Sequence, residues 1–167
     1  LFFLYLYIIE VNVARLGVAS QSSTYNLDPM PGPDRAIDGS KQVNFYSHPC
    51  SHTSGDFEPW WRLDLKKSYM VKSVVIVNRM DCCSERLKGA QVHVGYSESN
   101  DNLLCGTITD VSQAIITLHC NWMEGRYVSV VIPGHKEFLS LCEVQRRGDW
   151  LNRTLELVHK LEYGVGI

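Results

Sequence analysis

The residues best suited to chemistry are His52 and the run Asn78-Arg79-Met80-Asp81-Cys82-Cys83-Ser84-Glu85-Arg86. Arginine offers a planar fork of donors and no acceptor, whereas neutral histidine offers one of each. A sugar hydroxyl both donates and accepts, so two guanidinium groups and one imidazole around it would saturate it. Arg79 and Asp81 stand two apart, which in an extended segment puts both on one face. Asp81 would then hold the Arg79 fork and offset part of its charge. The resulting surface orients a neutral polar ligand instead of capturing a bare anion. Arg86 follows a tight Cys-Cys turn and can fold back to join the pair.

Cys82 and Cys83 are adjacent. Bonded to each other, they close a small strained ring that encloses almost no chain and adds little stability through unfolded-state entropy. Such a ring would present a flat, polarisable, apolar edge suited to the carbon–hydrogen face of a sugar. The alternative is that the two pair with different partners, and spacing alone favours it. The six cysteines, Cys50, Cys82, Cys83, Cys105, Cys120 and Cys142, allow fifteen full pairings. They form no Cys-x-x-Cys doublets, so disulfides are favoured over a zinc site. Disulfides place the protein in an oxidising compartment, secreted and extracellular.

The elements that must position these residues read as short strands. Residues 71–77 form a buried strand whose end delivers Arg79 into a loop. This strand lies within one of several strand-sized runs, at 60–65, 70–77, 90–94, 114–118 and 126–132, rich in β-branched or aromatic residues and bounded by turn formers. Pro29-Met30-Pro31-Gly32-Pro33 is an irregular loop, because its three prolines fix φ and remove donors. The spacing predicts an all-β antiparallel sandwich or jelly roll. At 167 residues the chain has room for one domain with a full core. A net charge of −2 makes no case for nucleic acid or an anionic membrane. Residues 1–9 are almost wholly apolar and too few to span a bilayer; they read as a signal-peptide remnant or as an extra strand. From residue 146 the composition changes. Leu151, Leu155 and Val158 recur at helical spacing, and Asn152-Arg153-Thr154 is a glycosylation sequon.

His52, twenty-six residues, Arg79, one residue, Asp81, four residues, Arg86 matches the signature of the F-type lectin (fucolectin) family. Asn12-Val13-Ala14, Ala36-Ile37-Asp38-Gly39, Pro59-Trp60-Trp61-Arg62-Leu63-Asp64-Leu65, Gly125-Arg126-Tyr127-Val128 and Leu141-Cys142-Glu143-Val144 also resemble that family, close to the eel agglutinin type. The likeness covers residues 11–145, leaving 1–10 and 146–167 outside it. It implies a discoidin-like, galactose-binding-domain-like jelly-roll β-sandwich that binds terminal α-L-fucose on glycans. His52, Arg79 and Arg86 would bond the axial hydroxyl and neighbouring oxygens, with Cys82-Cys83 as a vicinal disulfide against the ring and Phe45 and Tyr46 lining the methyl pocket. The resemblance also implies the pairs Cys50–Cys142 and Cys105–Cys120, a role in innate immune recognition, and a homo-oligomer, trimeric in that family.

A structural calcium belongs to the same resemblance. Its matching positions are the backbone carbonyls of Arg35, Ser40 and Cys142 and the carboxylates of Asp38 and Glu143, an oxygen-only set that suits calcium. Pro49 stands where the family supplies Ser, so a side-chain oxygen is lost while the Pro49 carbonyl remains. Loop 24–33 also departs from the pattern, with Leu27 near the place of the eel-type His.

Other residues have plainer readings. Trp60 and Trp61, followed by alternating Leu63 and Leu65, read as core. His48, His93, His119, His135 and His159 show no metal or catalytic spacing and read as surface or packing residues. No Ser-His-Asp order, paired acidic motif or phosphate loop stands out, so no enzyme is expected. The competing classes are a discoidin-type adhesion or lipid-binding module without sugar specificity, and the sugar-binding part of a glycosidase. The first lacks apolar loop tips beyond Tyr25, Leu27 and Met30; the second needs two placed carboxylates that cannot be nominated here.

Overall fold

The computed structural model describes residues 12–99 and 101–148. The apolar start, the Leu151–Leu155–Val158 spacing and the sequon lie outside the described residues.

Among the described residues ten strands follow one another: β1 Val18–Gln21, β2 Ser51–His52, β3 Asp56–Phe57, β4 Trp60–Val77, β5 Gln91–Gly95, β6 Leu103–Thr107, β7 Ile115–Val131, β8 Lys136–Glu137, β9 Ser140–Leu141 and β10 Glu143–Arg147. Among the described residues helical structure is confined to three single 3₁₀ turns, at Val13–Leu16, Pro33–Ala36 and Ser84–Leu87. The fold is an all-β jelly-roll sandwich. Its sheet order is β1-β4-β7-β5-β6 with β10 on β4, and all of these pairs except the short ribbons β2–β9 and β3–β8 belong to that one sheet.

One sheet makes both layers because β4 and β7 are long and bent. Runs 60–65 and 70–77, expected as separate strands, join into β4, and runs 114–118 and 126–132 join into β7. The first half of β4 pairs β1 and the end of β7, and its second half pairs β10 and the start of β7. Register shifts fall between, at Asp64/Tyr69 and Val71/Ser73, where Lys66, Asn121 and Trp122 take positive φ. An extra residue in a ladder bends the strand and increases its twist. This is why the composition broke into two runs without the strand ending.

Alternation sets the first layer: Trp61, Leu63 and Leu65 point inward and are buried, with Trp61 Nε1 donating to the Pro33 carbonyl at 2.9 Å. Trp60 on the opposite face lies under the Arg62 guanidinium at 4.5 Å. In the second half of β4, Ser73 to Val77 are buried on both faces. Val74 and Ile76 join the main core, while Val77 packs with Phe45, Cys50 and Cys142 in a smaller cluster. β10 continues to Arg147, two residues beyond the region of family likeness, and Arg146 is fully buried there with its guanidinium 4.7 Å over the Tyr69 ring.

Disulfides join Cys50 to Cys142, Cys82 to Cys83 and Cys105 to Cys120. The first ties the loop before β2 to the start of β10; the third crosses β6 and β7.

Candidate functional site

The end of β4 sets the site. Past Val77 the chain is anchored by backbone bonds from the Asn78 amide to the Ala114 carbonyl and from the Met80 amide to the Val43 carbonyl, at 2.8 Å each. Between these anchors Arg79 is held with its side chain buried. Its Nε lies 3.0 and 3.2 Å from the two Asp81 oxygens and its Nη2 2.8 Å from Oδ2, a forked pair that leaves the Nη1 end unused by Asp81. Asp81 Oδ1 also accepts the Phe45 amide at 2.9 Å. The guanidinium plane sits 4.5 Å over the Phe45 ring. The Arg79 charge beside it holds the Asp81 carboxyl below the ordinary carboxylate range, with the Phe45 amide helping against burial. Arg79 is likewise raised above its ordinary value, chiefly by the bond to Asp81.

Cys82–Cys83 follows, with Cys83 in a left-handed conformation at φ 63°. That turn starts the 3₁₀ segment Ser84–Leu87, and the Asn78 side-chain amide, buried, donates to the Ser84 carbonyl at 3.0 Å to brace it. Arg86 is thereby returned toward Arg79. Its Nε lies 3.5 Å from Glu137 Oε1 on β8, and its guanidinium 5.1 Å over the Phe138 ring.

His52 arrives on β2, whose partner is β9. The ring is buried, and Nδ1 lies 2.7 Å from the Thr53 carbonyl. A carbonyl only accepts, so Nδ1 carries the proton and Nε2 is left as an acceptor. Burial holds the imidazole below its ordinary value, with the charges of Arg79 and Arg86 adding to that and the Thr53 bond partly opposing it. The ring packs against Tyr25, Phe45 and Phe138, with centroids 5.0–5.6 Å away.

Together these groups line a cavity of about 280 Å³. His52, Arg79, Arg86, Cys82, Cys83, Phe45 and Tyr46 all line it, so the topology brings together every residue expected around the ligand, with Asp81 behind Arg79. Phe45 is buried beneath and Tyr46 stands exposed at the rim. Tyr25 and Leu27, from the loop that departs from the family pattern, line it as well. Sequence reasoning missed Glu137 and Phe138, and it named Asn78 within the run without its bracing role. Phe138 reaches the site because Gly55, at φ +83°, leaves room: a Cβ there would stand 2.9 Å from the ring. Gly55 was the available signal, though nothing local linked it to a ring on the other side of the ribbon.

A second cluster lies at the residues expected to hold calcium. Gly39, at φ +88°, donates its amide to Glu143 Oε2 at 3.1 Å, and Asp38 Oδ1 accepts the Ser40 amide at 2.8 Å. Glu143 is fully buried and its Oε1 has no hydrogen-bond partner. Burial pushes this carboxyl up to about 7, the neighbouring Asp38 charge adds to that, and the Gly39 amide, Gln145 and Arg15 partly oppose it. An orphaned buried carboxylate oxygen beside a second carboxylate fits a bound cation. Side chains alone do not make a complete cation site: among the described residues no three His, Cys, Asp or Glu side chains converge on one point. The carbonyls of Arg35, Ser40, Pro49 and Cys142 would have to supply the rest. His48, read from the sequence as a surface or packing residue, instead puts Nε2 2.7 Å from Asp38 Oδ2.

Comparisons with known proteins place the chain. Residues 35–130 match the family model described as NedA-like, galactose-binding domain. Fucolectin-6 of Anguilla japonica is 41% identical over 141 residues, which cover 82% of this chain and 75% of that protein. A pentraxin fusion protein of Xenopus laevis is 41% identical over 138 residues, covering 80% of this chain. Among solved structures, a fucolectin from striped bass (Morone saxatilis) serum superposes with a TM-score of 0.79 at 39% identity over 84% of this chain. A Streptococcus pneumoniae fucose binding module gives a TM-score of 0.75 at 30% identity, over 83% of this chain and 95% of the module. The chain spans about a third of the Xenopus protein and about half of the bass chain (33% and 49%). With its His–Arg–Asp–Arg spacing folded into one pocket and these relatives on either side of it, the chain belongs to the F-type lectin (fucolectin) family.

Proposed function

We propose that the protein is a calcium-stabilised lectin that binds terminal α-L-fucose on glycans and catalyses nothing. One observation carries this reading: a neutral imidazole acceptor and two braced guanidinium donors line one pocket with a vicinal disulfide. A hydroxyl seated among them donates its proton to His52 Nε2 and accepts from the Arg79 and Arg86 forks. Cys82–Cys83 offers an apolar edge to the ring's carbon–hydrogen face, and Phe45 with Tyr46 offers a greasy wall to the methyl group. The words fucolectin and fucose binding module in the relatives' names support this choice of sugar.

Calcium would be held by the Asp38 and Glu143 carboxylates with the carbonyls of Arg35, Ser40, Pro49 and Cys142. When bound it supplies positive charge that offsets the two carboxylates and ties loop 35–40 to the start of β10. We assign the lectin domain to residues 11–145, with β10 carrying its last strand to Arg147. Three disulfides and a serum relative support an extracellular place of work, in recognition of microbial or host glycans. A homo-oligomer would convert weak single sites into useful avidity. Calorimetric titration with L-fucose and D-galactose tests the core reading: heat is expected from fucose, and heat from galactose alone overturns it.

A further inference from the structure

Two formal cations, Arg79 and Arg86, line the pocket, and among the described residues no acidic side chain does. Such a lining would ordinarily attract sulfate or phosphate esters. Behind each arginine, however, stands a carboxylate. Asp81 grips Arg79 at 2.8 Å, and Glu137 faces Arg86 across 3.5 Å from a different strand, β8. His52 lines the same space, with Nδ1 engaged by the Thr53 carbonyl and its proton affinity lowered by burial. The balance is two positive and two negative charges around one cavity, with only the positive ones touching its space.

We propose that Glu137 is a specificity-determining residue, the charge behind Arg86 that makes the pocket select uncharged fucosides over sulfated ones. The proposal rests on the fucose reading above. Asp81 cannot fill this role alone, because its single charge pairs with Arg79 and leaves that of Arg86 to be offset by another group. Glu137 is held in place rather than floating: its Oε1 accepts the Phe138 amide at 2.8 Å, and Phe138 packs under both Arg86 and His52. An anion bound to Arg86 would share that guanidinium with the carboxylate 3.5 Å from its Nε and be repelled by it, whereas a neutral hydroxyl carries no charge to repel.

Glu137→Gln tests this, because glutamine keeps an oxygen for the Phe138 amide and removes only the charge. Affinity for methyl α-L-fucoside is measured at fixed ionic strength while sodium sulfate replaces sodium chloride. Sulfate is expected to compete about tenfold more strongly against the variant than against the parent, and the gain should fade as total salt rises. Affinity for the fucoside itself is measured in parallel and should change by less than the sulfate competition does. Glu85→Gln is the control: it removes an equal charge from an exposed neighbour on the Arg86 turn and should leave sulfate competition unchanged. Unaltered competition in Glu137→Gln, an equal gain in Glu85→Gln, or loss of fucoside binding without a gain for sulfate each overturns the proposal. A parent protein that binds no fucoside strikes the fucose reading itself.

Discussion

With Nδ1 committed to the Thr53 carbonyl, His52 can accept a ligand proton only through Nε2 and only while neutral. Its proton affinity is depressed from the ordinary 6.5 by burial and by the two arginines. Fucoside affinity is therefore expected to stay level from pH 8 through 6.5 and to weaken only below that; a titration already falling between pH 8 and 7 contradicts the assignment. The same shift has a stability sign. The unfolded chain takes up this proton first, so the histidine's contribution is present above about 6.5 and is lost as pH falls toward the folded value. Arg86→Ala removes charged donors from a half-exposed side chain. It should cost at least about tenfold in fucoside affinity while circular dichroism and Tm stay close to the parent's. Arg79→Ala should also abolish binding, but with a stability loss of about 1–3 kcal/mol, since Asp81 is left without its main partner.

Among the elements, the three disulfides separate stapling from presentation. Cys50–Cys142 joins residues 92 apart and Cys105–Cys120 residues 15 apart, so the chain-entropy account assigns them about 4.5 and 3 kcal/mol. Cys82–Cys83 joins neighbours and constrains almost nothing in the unfolded chain. Replacing both Cys82 and Cys83 by alanine should leave the denaturation midpoint nearly unmoved while fucoside affinity falls. Replacing Cys50 and Cys142 should move the midpoint strongly. A large stability loss in the vicinal variant would show that the pair props up the Arg86 turn as well as the ligand.

For the molecule as a whole, the cluster at Glu143 links the pocket's underside to β10. Cys142, next to it in the chain, packs with Phe45 and Val77 below the sugar pocket. Calcium at a hundred times its dissociation constant should raise stability by about 2.7 kcal/mol, read as a higher Tm than in chelator. Glu143→Gln should remove that calcium response while the metal-free protein stays folded, because the variant no longer buries a charge. An equal calcium shift in parent and variant would separate the metal from this cluster.

Local chemistry sufficed for much of this. Alternation at Trp61-Leu63-Leu65, the buried run Val74 to Val77, and the two-residue step from Arg79 to Asp81 depend on neighbours a few positions apart, and sequence periodicity records such relations directly. The His52–Arg79–Arg86 spacing pointed to one pocket because family likeness fixed what periodicity could not. Only the folded chain decided that interrupted runs are single bent strands, since a bulge is an event of register between partners. It also decided that His48 meets Asp38, that the proton of His52 sits on Nδ1, and that Glu137 and Phe138 stand behind Arg86. The Arg86 contacts join segments far apart in sequence, His48 meets Asp38 across a loop, and the His52 ring is set by packing against Tyr25, Phe45 and Phe138; no pattern within one segment specifies any of them.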